Sequence, residues 1–342
     1  DGYIRDIAVS YKIPTYSVDG WKISKMKFNY CHSENCNYYK KMWNQLTEHE
    51  KKVALEWAKR HIEMRVNGCS DEVSLMDRDK FSFSEEIKAE RVLNDNDKIK
   101  IIICPHIFEE DCYHSGEQIF DDNYFSWLCH LGELSDKTSE YEWYLKMHPC
   151  ASKRDFIIID KLLKKYTRIK LIENHVSPVQ LKNEGAKFAL TVCGTIGHEY
   201  PVIGIQVINA GKNPHENFDF NWNPKTKEEY DDLIFHLKDL KDKNDEMGLE
   251  QFYAMHYLIY DSKKFYTSDI FFEKDYLNFT RCELLAIGKR AGIWMYKEYM
   301  EGWSEEKHRS VYAVLENLFE ELDAWRPDIL YKSRKFKELC KG

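Results

Sequence analysis

Between Lys98 and Ala210 the chain alternates short apolar runs with helix-length patterns, and this constrains the fold more than any other feature. The run IKIIICP at 99–105 is a short β-branched block bounded by polar residues. That is the mark of a strand buried on both faces, as in parallel sheets. DDNYFSWLCHLGEL follows and reads as an amphipathic helix with Asp near its N-cap. Then come strand EWYLKM, helix SKRDFIIIDKLLKKY, strand RIKLIEN, a short helix after Ser177-Pro178, strand KFALTV, helix TIGHEYPVI and strand IQVINA. The alternation predicts an α/β fold, a Rossmann-type parallel sheet with helices on both faces. Gly185, Gly204 and Gly211 fall where helices or strands should end.

The flanks differ. Residues 1–95 carry helical patterning (LTEHEKKVALEWAKRHIEMRV), and FTRCELLAIGKRAGIWMYKEYMEGW and SVYAVLENLFEELDAW predict long helices near the end. The expected division is a partial N-terminal domain over 1–95, a nucleotide-binding domain over 96–260 and a helical region over 261–342. The basic end, KSRKFKELCKG, reads as a solvated or packing tail rather than a binding arm. The chain begins without Met and reads as a piece of a longer protein.

Composition narrows the function classes. At 43% hydrophobic and 32% charged, the 342 residues hold enough apolar mass for a core. No run of 18 apolar residues suggests a membrane span. A net charge of −8 lacks the basic footprint of a nucleic-acid binder, so any anion site must be local. The ten cysteines lie mostly in apolar runs and suggest buried, reduced thiols of a cytoplasmic protein. CHSENC (Cys31, His32, Cys36) has no second half at metal-finger spacing, so no metal is expected.

In open parallel sheets ligands bind beyond the carboxyl ends of the strands, so the residues after each strand are the candidates. The loop PHIFEEDCYHSGEQIFDD is rich in acids and histidines, His106 among them. It reads either as a solvated loop or as the source of a general base. Asp111 is the first choice, Glu110 is an alternative, and His114 would tune or relay the proton. In LKMHPC, Lys146 and His148 lie two apart and can share a face. Ser152 can cap the next helix, whose opening Lys153 and Arg154 oppose its dipole unless an anion docks there. In TVCGTIGHEYPVIG, Gly194 lets the backbone approach a ligand, Thr195 caps or donates to phosphate, and Glu199 sits one turn on. After the last strand, Lys212, Asn213 and His215 could contact base, phosphate or sugar, or form a plain turn.

The stretches LKMHP, TVCGTIGHEYPVIGIQVINAG and CPHIFEED…IFDDNYFSWL resemble the donor-binding domain of GT-B glycosyltransferases. Within these they are similar to the group that builds bacterial capsule and surface carbohydrate: Kdo transferases, HP-motif sialyltransferases and teichoic-acid polyol-phosphate transferases. The likeness spans roughly 98–230, and this chain has Gly-Thr where those families carry a Ser pair. It implies a GT-B-like fold in which His148, Lys146, Gly194 and Thr195 hold the nucleotide phosphate. Glu199 would contact ribose or base, with Lys212 and Asn213 nearby. It further implies a nucleotide-sugar donor, CMP- or CDP-linked, such as CMP-Kdo. The acceptor would be a glycan or glycolipid of capsule or lipopolysaccharide, at a cytoplasmic site with peripheral membrane association. No cofactor or metal is implied, since cations and helix-end amides would stabilise the leaving phosphate. The alternatives are a CDP-polyol phosphotransferase, a sugar-nucleotide epimerase and a non-catalytic binding module.

Overall fold

The computed structural model describes residues 7–19, 22–25, 34–69, 83, 87, 90–108, 119–120, 124–149, 151–172, 176–260, 304–306, 309, 326 and 328–341. The chain forms two compact units, 1–28 with 261–331, and 29–260 with 332–342. Most of the long helices expected beyond 261 lie outside the described residues.

In the first unit, strands β1 (Tyr16–Asp19) and β2 (Lys22–Lys25) pair antiparallel, with Asp19 opposite Lys22. The helical expectation for 1–95 missed this hairpin, although the sequence signals it. Tyr16 and Val18 alternate with polar residues, and a glycine follows Asp19.

The second unit opens with a 3₁₀ turn (Glu34–Tyr38), α1 (Tyr39–Trp43) and α2 (Glu48–Val66). Thr47 and Glu50 close a capping box on α2. The sheet strands and helices then alternate. They are β3 (Ile99–Ile103), α3 (Tyr124–Lys137), β4 (Tyr141–Lys146), α4 (Lys153–Lys165), β5 (Ile169–Ile172), α5 (Pro178–Asn183) and β6 (Ala186–Thr191). The short α6 (Ile196–Glu199) runs into a 3₁₀ turn (Tyr200–Ile203), followed by β7 (Gln206–Asn209). Then come α7 (Lys227–Phe235), α8 (Glu246–Tyr253), a π-helical stretch (Ala254–Ile259) and α9 (Arg334–Leu339).

The sheet is parallel throughout, in the order β5-β4-β3-β6-β7. The chain builds outward from β3 through β4 to β5, then crosses back to place β6 on the other side of β3. Right-handed crossovers put helices on one face before that reversal and on the opposite face after it. The packing agrees. Ile101, Ile103, Trp143, Leu145, Phe188 and Leu190 pack with Trp127 and Leu131 of α3 and Leu162 of α4; α7, which follows the last strand and is not a crossover, returns to this face with Ile234. The alternate residues Ile102, Tyr144, Ala189 and Val207 pack with Leu181 of α5 and with Tyr200. This is the α/β, Rossmann-type arrangement expected from the alternation.

Gly185 and Gly204 take positive φ, 95° and 76°, as expected of chain stops, whereas Gly211 does not. Of the solvated and packed readings of the basic tail, the packed one is seen. Phe336 is buried, Ser333 N donates to Ile259 O, and Lys332 pairs with Glu50 at 2.5 Å.

Gly197 illustrates a tighter constraint. A Cβ there would stand 2.4 Å from the ring of His215, which is fully buried and cannot retreat. Gly197→Ala is therefore expected to lower stability by about 1–3 kcal/mol, the usual cost of overpacking. An unchanged urea midpoint would show that the ring has room to move.

Candidate functional site

Because every strand of the sheet is parallel, the loops after β3, β4, β6 and β7 emerge at one edge. Adjacent strands stand about 4.8 Å apart. His148 follows β4 and Thr195 follows β6, the two strands that flank β3. Strand order reverses between β3 and β6, and this reversal opens the crevice in which doubly wound sheets take ligands.

His106, three residues beyond β3, stands at that crevice. Its Nε2 accepts the Cys193 N–H at 3.2 Å and lies 3.5 Å from Thr191 Oγ1. Its ring stacks on Tyr124 at 4.5 Å, which ties the tip of β3 to the tip of β6 and the start of α3. The sequence reading placed His106 in the acidic loop but gave it no role. Its position two residues past Cys104, on a strand that turns out to be central, was the available signal.

The predicted phosphate contacts distribute as follows. Lys146 ends β4 and is buried; His148 is partly exposed just beyond it. Gly194 is partly exposed, and Thr195 is exposed at the start of α6 with no side-chain cap bond. Gly197 N and His198 N already donate to Gly194 O and Thr195 O. Lys212 is partly exposed. Asn213 is buried, with its amide donating to Gly211 O and to Asn223 Oδ1, so both of its N–H groups hold the turn. Asp111, Glu110 and His114 lie outside the described residues, as do Cys31 and His32.

Two expectations change. The cations Lys153 and Arg154 at the start of α4 suggested an external anion, but the chain supplies its own. Asp155 accepts from Ser152 N at 2.6 Å and from Phe108 N at 2.9 Å, completing a capping box with Ser152. These hydrogen bonds outweigh burial and hold the Asp155 carboxyl below its ordinary pKa. A carboxylate within the first turn offsets the cations there. The thiols were expected to be buried. None of the six described cysteines is in a disulfide, yet only Cys36 is buried.

Glu199 is also internal. It is 2% exposed and accepts from Arg65 of α2. On its own, burial would push the Arg65 guanidinium down. Tyr257, Glu199 and Tyr253 together raise it above its ordinary value, so it stays charged. Arg65 continues the buried stripe Ala54, Ala58 and His61, which faces α8 and the π-helical stretch.

Around this pair gathers a histidine cluster that sequence spacing could not show. His198 and His215 stand 5.6 Å apart by ring centroid, and His198 and His256 stand 6.0 Å apart. His198 Nε2 meets the Tyr257 hydroxyl at 2.7 Å, His256 Nδ1 meets Tyr39 Oη at 3.1 Å, and His215 Nδ1 accepts from Asn221 at 3.0 Å. Burial, then His256, lowers His215 to about 3. Burial, then Arg65, lowers His256 to about 4. His198 is pushed well down by burial and then by His215, His256 and Arg65. All three are neutral at pH 7. They come from α6, the turn after β7 and the π-helical stretch.

Among the described residues no group of three or more His, Cys, Asp or Glu could hold a metal. None of the described helices is long and apolar enough to cross a membrane. A groove of about 440 Å³ lies between α2 and α8, lined by Trp43, Lys51, Leu55 and Met247 among others, away from the strand tips.

No family model matches the chain, and no curated protein does. Among solved structures it is similar to Thermosulfurimonas dismutans KpsC, a beta Kdo 2,4 transferase. The TM-score is 0.39 and the identity 14%, over 74% of each chain. At that identity and score the likeness says nothing of activity.

Proposed function

We propose that the chain is a nucleotide-sugar-dependent glycosyltransferase of GT-B type, with the donor's nucleotide bound at the strand tips of the sheet. One observation carries the reading: His106 meets the Thr191–Thr195 turn where strand order reverses, with His148 on the next strand tip. A phosphate held by both His148 and Thr195 would lie over the end of β3, beside His106. The motif likeness in LKMHP and TVCGTIGHEYPVIGIQVINAG supports a CMP- or CDP-linked donor, such as a CMP-linked ulosonic acid.

In the proposed mechanism Lys146, His148 and the amides around Gly194 and Thr195 stabilise charge on the departing phosphate. These groups supply the positive field, so the step is written without a metal. An acid of the 109–118 loop, Asp111 first, takes the proton of the acceptor hydroxyl. The acceptor is a glycan or glycolipid of the cell surface, reached from the cytoplasmic side.

Incubation with CMP-, CDP-, UDP- and GDP-sugars should release free nucleotide from a cytidine donor. Release from none of them would favour the binding-module reading. Hydrogen bonds to charged groups contribute about 1.5–3 kcal/mol. His148→Ala should therefore weaken CMP binding about 10- to 100-fold without moving the unfolding midpoint. Unchanged affinity removes His148 from the site.

A further inference from the structure

His106 and Cys193 form a thiol–imidazole pair at the reversal of strand order. Cys193 Sγ lies 3.6 Å from His106 Nε2, the nitrogen that also accepts the Cys193 N–H. A ring nitrogen that accepts an N–H carries a lone pair, which places the ring proton on Nδ1. Stacking on Tyr124 at an interplanar angle of 17° fixes the ring. Cys193 itself is partly exposed. A thiol reachable from solvent, beside a fixed basic nitrogen, is the arrangement that activates cysteine as a nucleophile.

We infer that Cys193 is the reactive thiol of the sheet unit, with His106 as its base, and that it is a modification site for small disulfides and alkylating agents. With a low-molecular-weight disulfide, the Cys193 N–H releases the Nε2 lone pair, the thiol proton passes to that nitrogen and Sγ attacks one sulfur. The new S–S bond forms as the old one breaks, and the departing thiolate takes the proton from His106. The products are a mixed disulfide and one free small thiol. With iodoacetamide an S–C bond forms, the C–I bond breaks and iodide leaves with the electron pair. The proton passes through His106 to solvent. Either adduct stands on the turn between β6 and α6.

The other described thiols are placed differently. Cys104 Sγ donates toward Tyr200 Oη at 3.9 Å, and Cys69 Sγ toward Asn67 O at 4.0 Å. Burial pushes the Cys129 and Cys340 thiols up. These two are internal references for a labelling experiment.

The whole chain is treated with iodoacetamide between pH 6 and 9, and each cysteine peptide is quantified by mass spectrometry. At pH 7 Cys193 should label at least about tenfold faster than Cys129 and Cys340, with a midpoint below the ordinary thiol value of about 8.5. His106→Gln should slow Cys193 about tenfold and leave Cys129 unchanged. Labelling of Cys193 no faster than Cys129, or a midpoint at or above 8.5, overturns the inference. The pH profile comes from the unaltered chain, so a variant that folds poorly does not remove the test. Labelling needs no nucleotide, so its outcome is independent of the transferase reading.

Discussion

Acidification from pH 7 to pH 5 is expected to remove about 4–6 kcal/mol of stability, well before the carboxylates titrate. The cause is the cluster of His198, His215 and His256, buried in the neutral form. Their folded values are depressed, to about 3 for His215 and about 4 for His256. An unfolded histidine titrates near 6.5. Below that value the unfolded chain binds protons that the folded chain refuses. Stability therefore falls with pH, at up to about 1.4 kcal/mol per pH unit for each histidine. The loss begins near pH 6.5 and runs down to the folded values. His198 Nδ1 and His215 Nε2 have no hydrogen-bond partner among the described residues, so a proton added there finds no acceptor. Depressed carboxyls such as Asp155 and Glu142 act lower, their stabilisation fading only as pH falls below about 4. Typical domains hold 5–15 kcal/mol in total, so the second unit should approach unfolding near pH 5. Urea midpoints at pH 7, 6 and 5 check this. A flat profile would mean that the cluster accepts protons while folded.

Arg65→Ala is expected to cost about 3–5 kcal/mol, because it strands the Glu199 carboxylate, 2% exposed, without its cation. The guanidinium also lies 5.4 Å from the centre of the Tyr257 ring, and that contact is lost with it. Replacing both partners with apolar residues, Arg65→Met with Glu199→Leu, should cost less than Arg65→Ala alone, since no charge is then left buried. If the single and double variants unfold at the same denaturant concentration, the carboxylate is not paying the penalty assigned to it.

The sheet was legible because buried parallel strands announce themselves locally. IKIII, YEWYLK and AKFALT are too apolar and too short for anything but strands between two layers. Ser152 as a helix cap was legible for the same reason. The spacing Ser152 to Asp155 also carries the capping box, while the adjacent cations Lys153 and Arg154 point instead to an external anion. The β1–β2 hairpin lies in a stretch whose helical patterning is stronger than the alternation of Tyr16 and Val18. Arg65 with Glu199 and the histidine cluster were different. Their members lie 134 residues apart in the first case, and in the second they come from three segments, α6, the turn after β7 and the π-helical stretch.

By itself the sequence determined which segments between 99 and 210 become strands and helices, and hence that the loops bearing His106, His148, Thr195 and Lys212 leave one edge. Hydrophobic period and β-branching act over a few neighbours and need no partner to be read. Only the tertiary structure decided the strand order, and with it that His106 meets Cys193. It also decided that Glu199 faces Arg65 and that Asn213 is consumed by its own turn. Those outcomes depend on which distant groups must share a dry interior, where an unpaired charge costs more than any local preference can offset.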